Sequence, residues 1–319
     1  MLSFTCVACR DRERGKTYNV KEMMFGVRDE YTYDECAKCG SIQISPIPSP
    51  EVLAKAYSGN YYSFSKDGQA NSGRARLKAL FETIRDRGAY GTSPLGALVQ
   101  KLKPDSGVLS LLRSIGVRPE QRILDVGCGA GVLINRLARI GFGDVSGVDP
   151  FLNSDGATRD GARLYKRTLA EASGPFDVTM FNHSFEHLLD PGESLKTAWE
   201  KLAPGGLCLV RTPTPSSQAW EEYGVNWAQW DAPRHISLMS RQGFSNLAME
   251  CGFRLVKIVD DAGPWSMMAS ELYKRGIALH DVRFEEQFSR SEMAAFEQKT
   301  RAANAAGRGD SVAYVLEKQ

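Results

Sequence analysis

Nothing in the 319 residues is long and apolar enough to cross a bilayer as a helix, which excludes a helical membrane span. An excess of charge is missing too. Forty Lys and Arg stand against 38 Asp and Glu, a formal net charge of +2, so there is no electrostatic case for a nucleic-acid partner. No block of like charge, internal repeat or low-complexity tract interrupts the chain. The first twenty residues hold Arg10, Asp11, Arg12, Glu13, Arg14 and Lys16, which rules out the apolar core of a secretory leader and predicts a soluble, cytoplasmic protein. Histidine is scarce, with four in all, so the positions of His183, His187 and His235 draw attention.

Cysteine is not scarce, and its spacing is uneven. Cys6 and Cys9 form one CxxC pair and Cys36 and Cys39 another, with strand-like alternation between them over Tyr18 to Val27 and Tyr31 to Tyr33. Each short turn brings two thiolates to one side of an ion and a hairpin joins the halves, the arrangement that suits tetrahedral Zn²⁺. Four thiolates fill the coordination sphere, so the expected zinc is structural. A ribbon this small has little core of its own and depends on the metal to fold. Disulfides are the competing reading, disfavoured in a reducing compartment. Cys128, Cys208 and Cys251 read as small buried residues.

Three prolines in Ile44 to Pro50 end the ribbon in a stiff linker, and a helix is expected from Pro50 with Ser49 as its N-cap. The expected organisation is a zinc ribbon over 1–48, a helical cap or lid over 49–119 and a large α/β domain over 120–319, with insertions at 212–239 and 262–310. Tyr57, Tyr61 and Tyr62 could close the cap over a ligand or simply pack.

The α/β domain opens on its most specific motif. Arg122 to Val132 reads R-I-L-D-V-G-C-G-A-G-V, an apolar strand ending near Asp125 and breaking into Gly127, Cys128, Gly129 and Gly131 before helical spacing resumes. Such a turn lets a ligand approach backbone where any Cβ would clash. A second strand ends in Asp149-Pro150, where a carboxylate can accept bonds from both hydroxyls of a ribose. The pattern G-x-G-x-G after an acid resembles motif I of class I S-adenosylmethionine (SAM) methyltransferases. Further segments occur in that family's order: Phe176 to His183 as the fourth strand, Ser184 to Pro191 after it, L-x-P-G-G at Leu202 with the fifth strand, and two last strands from Phe253 and Ser311. The resemblance covers about 120 to 319. It implies a Rossmann-like, seven-stranded sheet, with Asp125, Gly127, Cys128, Gly129, Gly131, Asp149, Pro150, Asn182 and His183 holding SAM.

Methyl transfer to a hydroxyl requires a base, and His187, His235 and Glu186 are the candidates. Asp190-Pro191 followed by Glu193 reads instead as a helix start. Trp227 and Trp230, beside Asp231, Arg234 and His235, fit either an aromatic platform for a sugar ring or a buried core. The whole chain resembles zinc-ribbon methyltransferases of sugar and surface-polysaccharide pathways. The resemblance implies O-methylation of a sugar or glycan hydroxyl. The alternatives are C-methylation of a nucleotide deoxysugar, methylation of a small aromatic, quinone-like or lipid acceptor, and a SAM-binding module without turnover. A homo-oligomer or a biosynthetic partner enzyme is compatible with the ribbon.

Overall fold

A computed structural model describes residues 4–57, 73–102, 107–280 and 282–319. Tyr61 and Tyr62 lie outside the described residues. The strands, in chain order, are β1 (Arg14–Lys21), β2 (Glu30–Cys36), β3 (Ile42–Ile44), β4 (Arg122–Val126), β5 (Asp144–Val148), β6 (Gly156–Ala157), β7 (Arg163–Tyr165), β8 (Phe176–Asn182), β9 (Leu202–Pro213), β10 (Ser237–Leu238), β11 (Phe253–Asp260) and β12 (Ser311–Lys318). The helices are α1 (Pro50–Ala56), α2 (Gly73–Ala89), α3 (Pro94–Leu102), α4 (Val108–Ser114), α5 (Val132–Ile140), α6 (Pro191–Lys201), α7 (Gln218–Tyr223), α8 (Arg241–Glu250), α9 (Trp265–Lys274), α10 (Phe284–Gln287) and α11 (Arg290–Ala305). None of the described helices is long and apolar enough to cross a membrane.

The chain forms two compact units. One comprises Met1–Gly59, His183–Glu200 and Leu209–Gln319; the other comprises Asn60–Asn182 and Lys201–Cys208. Of the stretch expected as a cap, α1 belongs to the first unit and α2 to α4 to the second.

The second unit carries the Rossmann-like α/β sheet, in the order β9-β8-β4-β5-β7-β6. Strand β4 pairs in parallel with β5 and β8, and β5 pairs in parallel with β7. The two-residue β6 is an edge strand beyond the expected set, antiparallel to β7. Strands β4 (R-I-L-D-V) and β5 (D-V-S-G-V) are each buried from their second residue onward, as expected where both faces of a parallel sheet are covered. Helix α5 presents Leu133, Ile134 and Leu137 inward, at the i, i+1, i+4 spacing of one helical face. Helix α2 docks on α5 through a buried carboxylate: Asp86 is fully buried and accepts from Arg136 Nε at 3.1 Å and Nη2 at 2.8 Å, with Arg139 adding a third contact. Burial would push the Asp86 carboxyl up, but the two guanidiniums outweigh it and hold it below its usual range.

In the first unit the two segments expected as the last strands are β11 and β12; they pair antiparallel, with β9 beside β12. Its second sheet has the order β1-β2-β3-β10. The ribbon therefore does not end with its own three strands: Ser237 and Leu238, from the first insertion, pair with Gln43 and Ile42. Ser240, the N-cap of α8, also donates to the Cys39 carbonyl at 2.5 Å. Val20, Tyr33, Ile42 and Ile44 share one core with Trp227, Trp230, Ile236 and Leu238. The expectation of a ribbon with almost no core is corrected: residues some 200 positions further along supply it. The insertion between β11 and β12 holds α9, α10 and α11.

Candidate functional site

In the second unit the chain leaves β4 through three glycines held at positive φ, 72° at Gly127, 50° at Gly129 and 76° at Gly131. Side chains rarely adopt this backbone, so the glycines are a conformational requirement. At Gly131 a Cβ would also lie 2.8 Å from Leu164 Cδ2 and from Thr158 Cγ2. Sequence reading missed Gly147 of β5. A Cβ there would come 2.5 Å from Cys128 Sγ, so this position must stay small for Cys128 to seat in the turn. That requirement has no local signal.

Asp149 follows β5 and is buried. Its Oδ2 accepts from the Gly129 amide and its Oδ1 from the Phe151 amide, both at 2.9 Å. Those bonds fix the carboxylate and leave lone pairs on each oxygen for further donors. Asp125 is buried beside it, and its Oδ1 has no hydrogen-bond partner. Burial, reinforced by repulsion from Asp149, pushes the Asp125 carboxyl up to about 8. A pair of buried acids with an orphaned oxygen fits a ligand that brings donors and positive charge. SAM carries both an ammonium and a sulfonium; a pyrophosphate would add to the repulsion. Pro150 is exposed and Cys128 half-buried at the mouth of the turn, and Asn182 ends β8.

Asp125 binds a proton on folding, because its folded value lies above the unfolded value of about 4. The stability this permits is complete below about pH 4 and is lost as pH rises through about 8. Asp125→Asn, which keeps the shape without the charge, is therefore expected to stabilise the ligand-free protein at pH 8.5 by on the order of 5 kcal/mol. Little change is expected at pH 4. Thermal melts across that range check this, and equal shifts at both ends would contradict it.

The first unit holds a second constellation, beginning one residue after Asn182. His183 sits at φ 54° and is exposed, with its Nδ1 3.7 Å from Glu186 Oε1. Glu186 is buried; its Oε2 accepts from Thr212 Oγ1 at 3.1 Å, and its Oε1 lies 3.9 Å from His235 Nε2. Burial would raise the Glu186 carboxyl, but the approach of His183 and the imidazoles of His187 and His235 outweigh it and lower it to about 2. His187 and His235 pack edge to face, 4.9 Å between ring centres. Each is oriented through Nδ1. His187 Nδ1 lies 2.9 Å from the Arg234 carbonyl and 3.0 Å from the Tyr57 hydroxyl, and His235 Nδ1 lies 2.7 Å from the Gln229 carbonyl. Since a carbonyl only accepts, both Nδ1 atoms carry a proton, and in a neutral imidazole the lone pair then falls on Nε2. Burial keeps His235 below its ordinary value despite the pull of Asp231. Asp231 is committed elsewhere, gripped at both oxygens by Arg234, which is 1% exposed.

Trp227 and Trp230 settle into the core, 0% and 1% exposed, with Trp230 packed on Tyr18, Tyr33 and Trp220. Their faces are covered, so the aromatic-platform reading is withdrawn. Asp190 does accept from the Glu193 amide at 2.9 Å as a helix cap.

At the other end of the first unit the sulfurs of Cys6, Cys9, Cys36 and Cys39 all lie within 4.8 Å of one another. Cys6 Sγ to Cys39 Sγ and Cys9 Sγ to Cys36 Sγ are both 3.6 Å. A disulfide needs about 2.05 Å, whereas four sulfurs about 2.3 Å from one zinc stand about 3.8 Å apart. The donor set and its spacing fit a tetrahedral zinc.

Comparison with known proteins adds sequence relatives. A family profile described as "Methyltransferase domain" matches residues 76–258. Among curated proteins, the ubiquinone biosynthesis O-methyltransferase of Caulobacter sp. (strain K31) is 41% identical over 123 residues, 33% of this chain and 48% of that protein. That of Psychrobacter arcticus is 32% identical over 158 residues, 44% of this chain and 61% of that protein. The chain thus spans about half the length of the curated relatives it matches. A solved SAM-dependent methyltransferase from Archaeoglobus fulgidus is 20% identical, with a TM-score of 0.41 over 70% of this chain and 98% of that one.

Proposed function

Because the chain belongs to the family of methyltransferase domains, we propose that it transfers a methyl group from SAM to a hydroxyl of a small aromatic, quinone-like acceptor. The observation that carries the cofactor is the pair of buried acids at the glycine turn, with the unpartnered Asp125 Oδ1. Asp149 would take the ribose hydroxyls, and Gly127, Gly129 and Gly131 would admit the ligand to the backbone, with Cys128, Pro150 and Asn182 as the further expected contacts; His183, expected with them, belongs to the first unit. SAM, when bound, supplies the methyl electrophile.

The acceptor reading follows the relatives, whose names place them in ubiquinone biosynthesis. It replaces the sugar or surface-glycan hydroxyl expected from resemblance, whose structural support went with the burial of Trp227 and Trp230. His187 is the base in this reading. It is less buried than His235, and its Nδ1 is tied, which aims the Nε2 lone pair outward from those partners. Glu186 and His235 hold the local charge. The four cysteines hold a structural zinc with no part in the transfer.

Calorimetry tests the cofactor reading. Asp149→Ala is expected to weaken SAM binding by about 1.5–3 kcal/mol, the scale of charged hydrogen bonds. Unchanged affinity in that variant, or tight NAD binding by the parent, sinks it. Competition between catechol-like and glycoside acceptors tests the substrate class.

A further inference from the structure

We propose that Tyr57 is a positioning residue for His187: its hydroxyl oxygen shares the Nδ1 proton of that imidazole and steadies the charge the ring acquires when Nε2 takes the acceptor's proton. This rests on the reading of His187 as the base, and it gives the tyrosine a part in proton transfer in place of the lid or packing role open to it in the sequence.

Tyr57 arrives on a short anchor. Helix α1 buries none of its seven residues, so no apolar face of its own fixes where it lies. Leu53 is half-buried against the core that holds Trp227 and Trp230, and the Tyr57 amide donates to the Leu53 carbonyl at 3.1 Å. Beyond that the end of the helix is pinned by polar contacts. Arg234 Nη1 donates to the Ala56 carbonyl at 3.2 Å, and the next residue places its hydroxyl 3.0 Å from His187 Nδ1. Arg234 is itself held on three sides, by both oxygens of Asp231, by Glu22 Oε1 at 3.6 Å from Nη2, and by the Phe25 ring with its centre 4.9 Å from the guanidinium carbon. Because His187 Nδ1 also lies 2.9 Å from the Arg234 carbonyl, the contacts close a ring: Arg234 side chain to Ala56, Tyr57 to His187, and His187 back to the Arg234 main chain. Packing alone would not require the hydroxyl. The Tyr57 ring meets the imidazole edge on, 6.0 Å between centres at 72°, which a phenylalanine could do as well.

The oxygen matters when the imidazole becomes charged. In the neutral ring one Nδ1–H faces two acceptors, the Arg234 carbonyl and the Tyr57 hydroxyl, in a three-centre hydrogen bond. In the transfer the acceptor's O–H bond breaks and its proton goes to Nε2, the oxygen's electron pair forms the new bond to the methyl carbon, and the methyl–sulfur pair stays with sulfur. His187 is then an imidazolium. Hydrogen bonds from a charged donor are about twice as strong as neutral ones, so both oxygens hold the ring more tightly as the charge develops. A contact that strengthens only along the reaction raises kcat and leaves KM alone. A third group behind the base plays the same part in nucleophile–base pairs, and here neutral oxygens supply it.

Tyr57→Phe keeps the ring and removes the oxygen. It is expected to lower kcat by about 10- to 100-fold, the scale of one hydrogen bond to a charged group, with acceptor KM, SAM affinity and circular dichroism unchanged. In the double variant with His187→Ala it should add nothing to the loss from His187→Ala alone, because a residue that acts through another has no further effect once that one is gone. Nitrogen-15 NMR of the labelled imidazoles, which needs neither acceptor nor SAM, should show the His187 Nδ1 proton signal moving in Tyr57→Phe. Parent-like kcat in Tyr57→Phe, an unmoved Nδ1 proton signal, or losses that add in the double variant overturns the proposal; His187→Ala remains slow in each case, and the base reading stands. Parent-like turnover by His187→Ala is instead the failure of that reading, and the role of Tyr57 falls with it.

Discussion

Replacing His187 with alanine is expected to lower turnover by about 10²- to 10⁴-fold, with SAM affinity unchanged. A hydroxyl gives up its proton poorly at neutral pH, and the reaction cannot proceed at a useful rate unless something near the acceptor oxygen accepts or displaces that proton. His187 offers a lone pair at Nε2, because its Nδ1 is committed to the Arg234 carbonyl and the Tyr57 hydroxyl. Alanine leaves Glu186 ionised without that neighbour. The same substitution should do little to a cofactor held by Asp149 and the glycine turn, neither of which has a hydrogen bond to this imidazole. Steady-state kinetics with a catechol-like acceptor, alongside calorimetry with SAM, separates the two effects. Parent-like turnover would remove His187 from the chemistry; the same result with His235→Ala as well would leave a carboxylate or proximity alone. His235→Ala is a less selective probe: His235 is buried against His187, and its carbonyl accepts from Tyr33 at 2.9 Å.

Stripping the metal from the four cysteines, or changing Cys39 to serine, is expected to lower the thermal midpoint by about 10 °C, on the scale of about 3–5 kcal/mol in a chain of this size. Without zinc, four thiols remain in contact with no ion to draw them together, and the two knuckles lose their anchor. Complete unfolding is not expected. Tyr33, Ile42 and Ile44 remain packed on Trp227, Trp230 and Leu238, and β10 still pairs with β3. Elemental analysis should find zinc in freshly purified protein and a loss in the serine variant, with melting followed in parallel. Protein that contains no zinc as isolated, or a serine variant that melts with the parent, would contradict the assignment.

The cofactor half was legible residue by residue, because its requirements are local. An apolar strand, three glycines needed at positive φ and a carboxylate after the next strand all lie within 28 positions, Asp125 being buried and Asp149 following β5. Gly147 escaped, since its reason is the Cys128 side chain nineteen residues away. The indole rings illustrate the opposite limit. Composition and spacing alone cannot tell a platform from a core, and burial by Tyr18 and Tyr33, two hundred residues earlier, decided for the core.

By itself the sequence determined the main strands of the α/β domain, the caps at Ser49 and Asp190, the CxxC pairs and the glycine turn, all set by φ, hydrophobic period and hydrogen bonds between near neighbours. Tertiary structure alone decided that Ser237 and Leu238 complete the ribbon's sheet and that His235 comes beside Glu186 and His187. It also left Asp125 with an unpartnered oxygen. The physical reason is that pairing across long loops is fixed by which surfaces can be buried together, and that free energy belongs to no segment on its own.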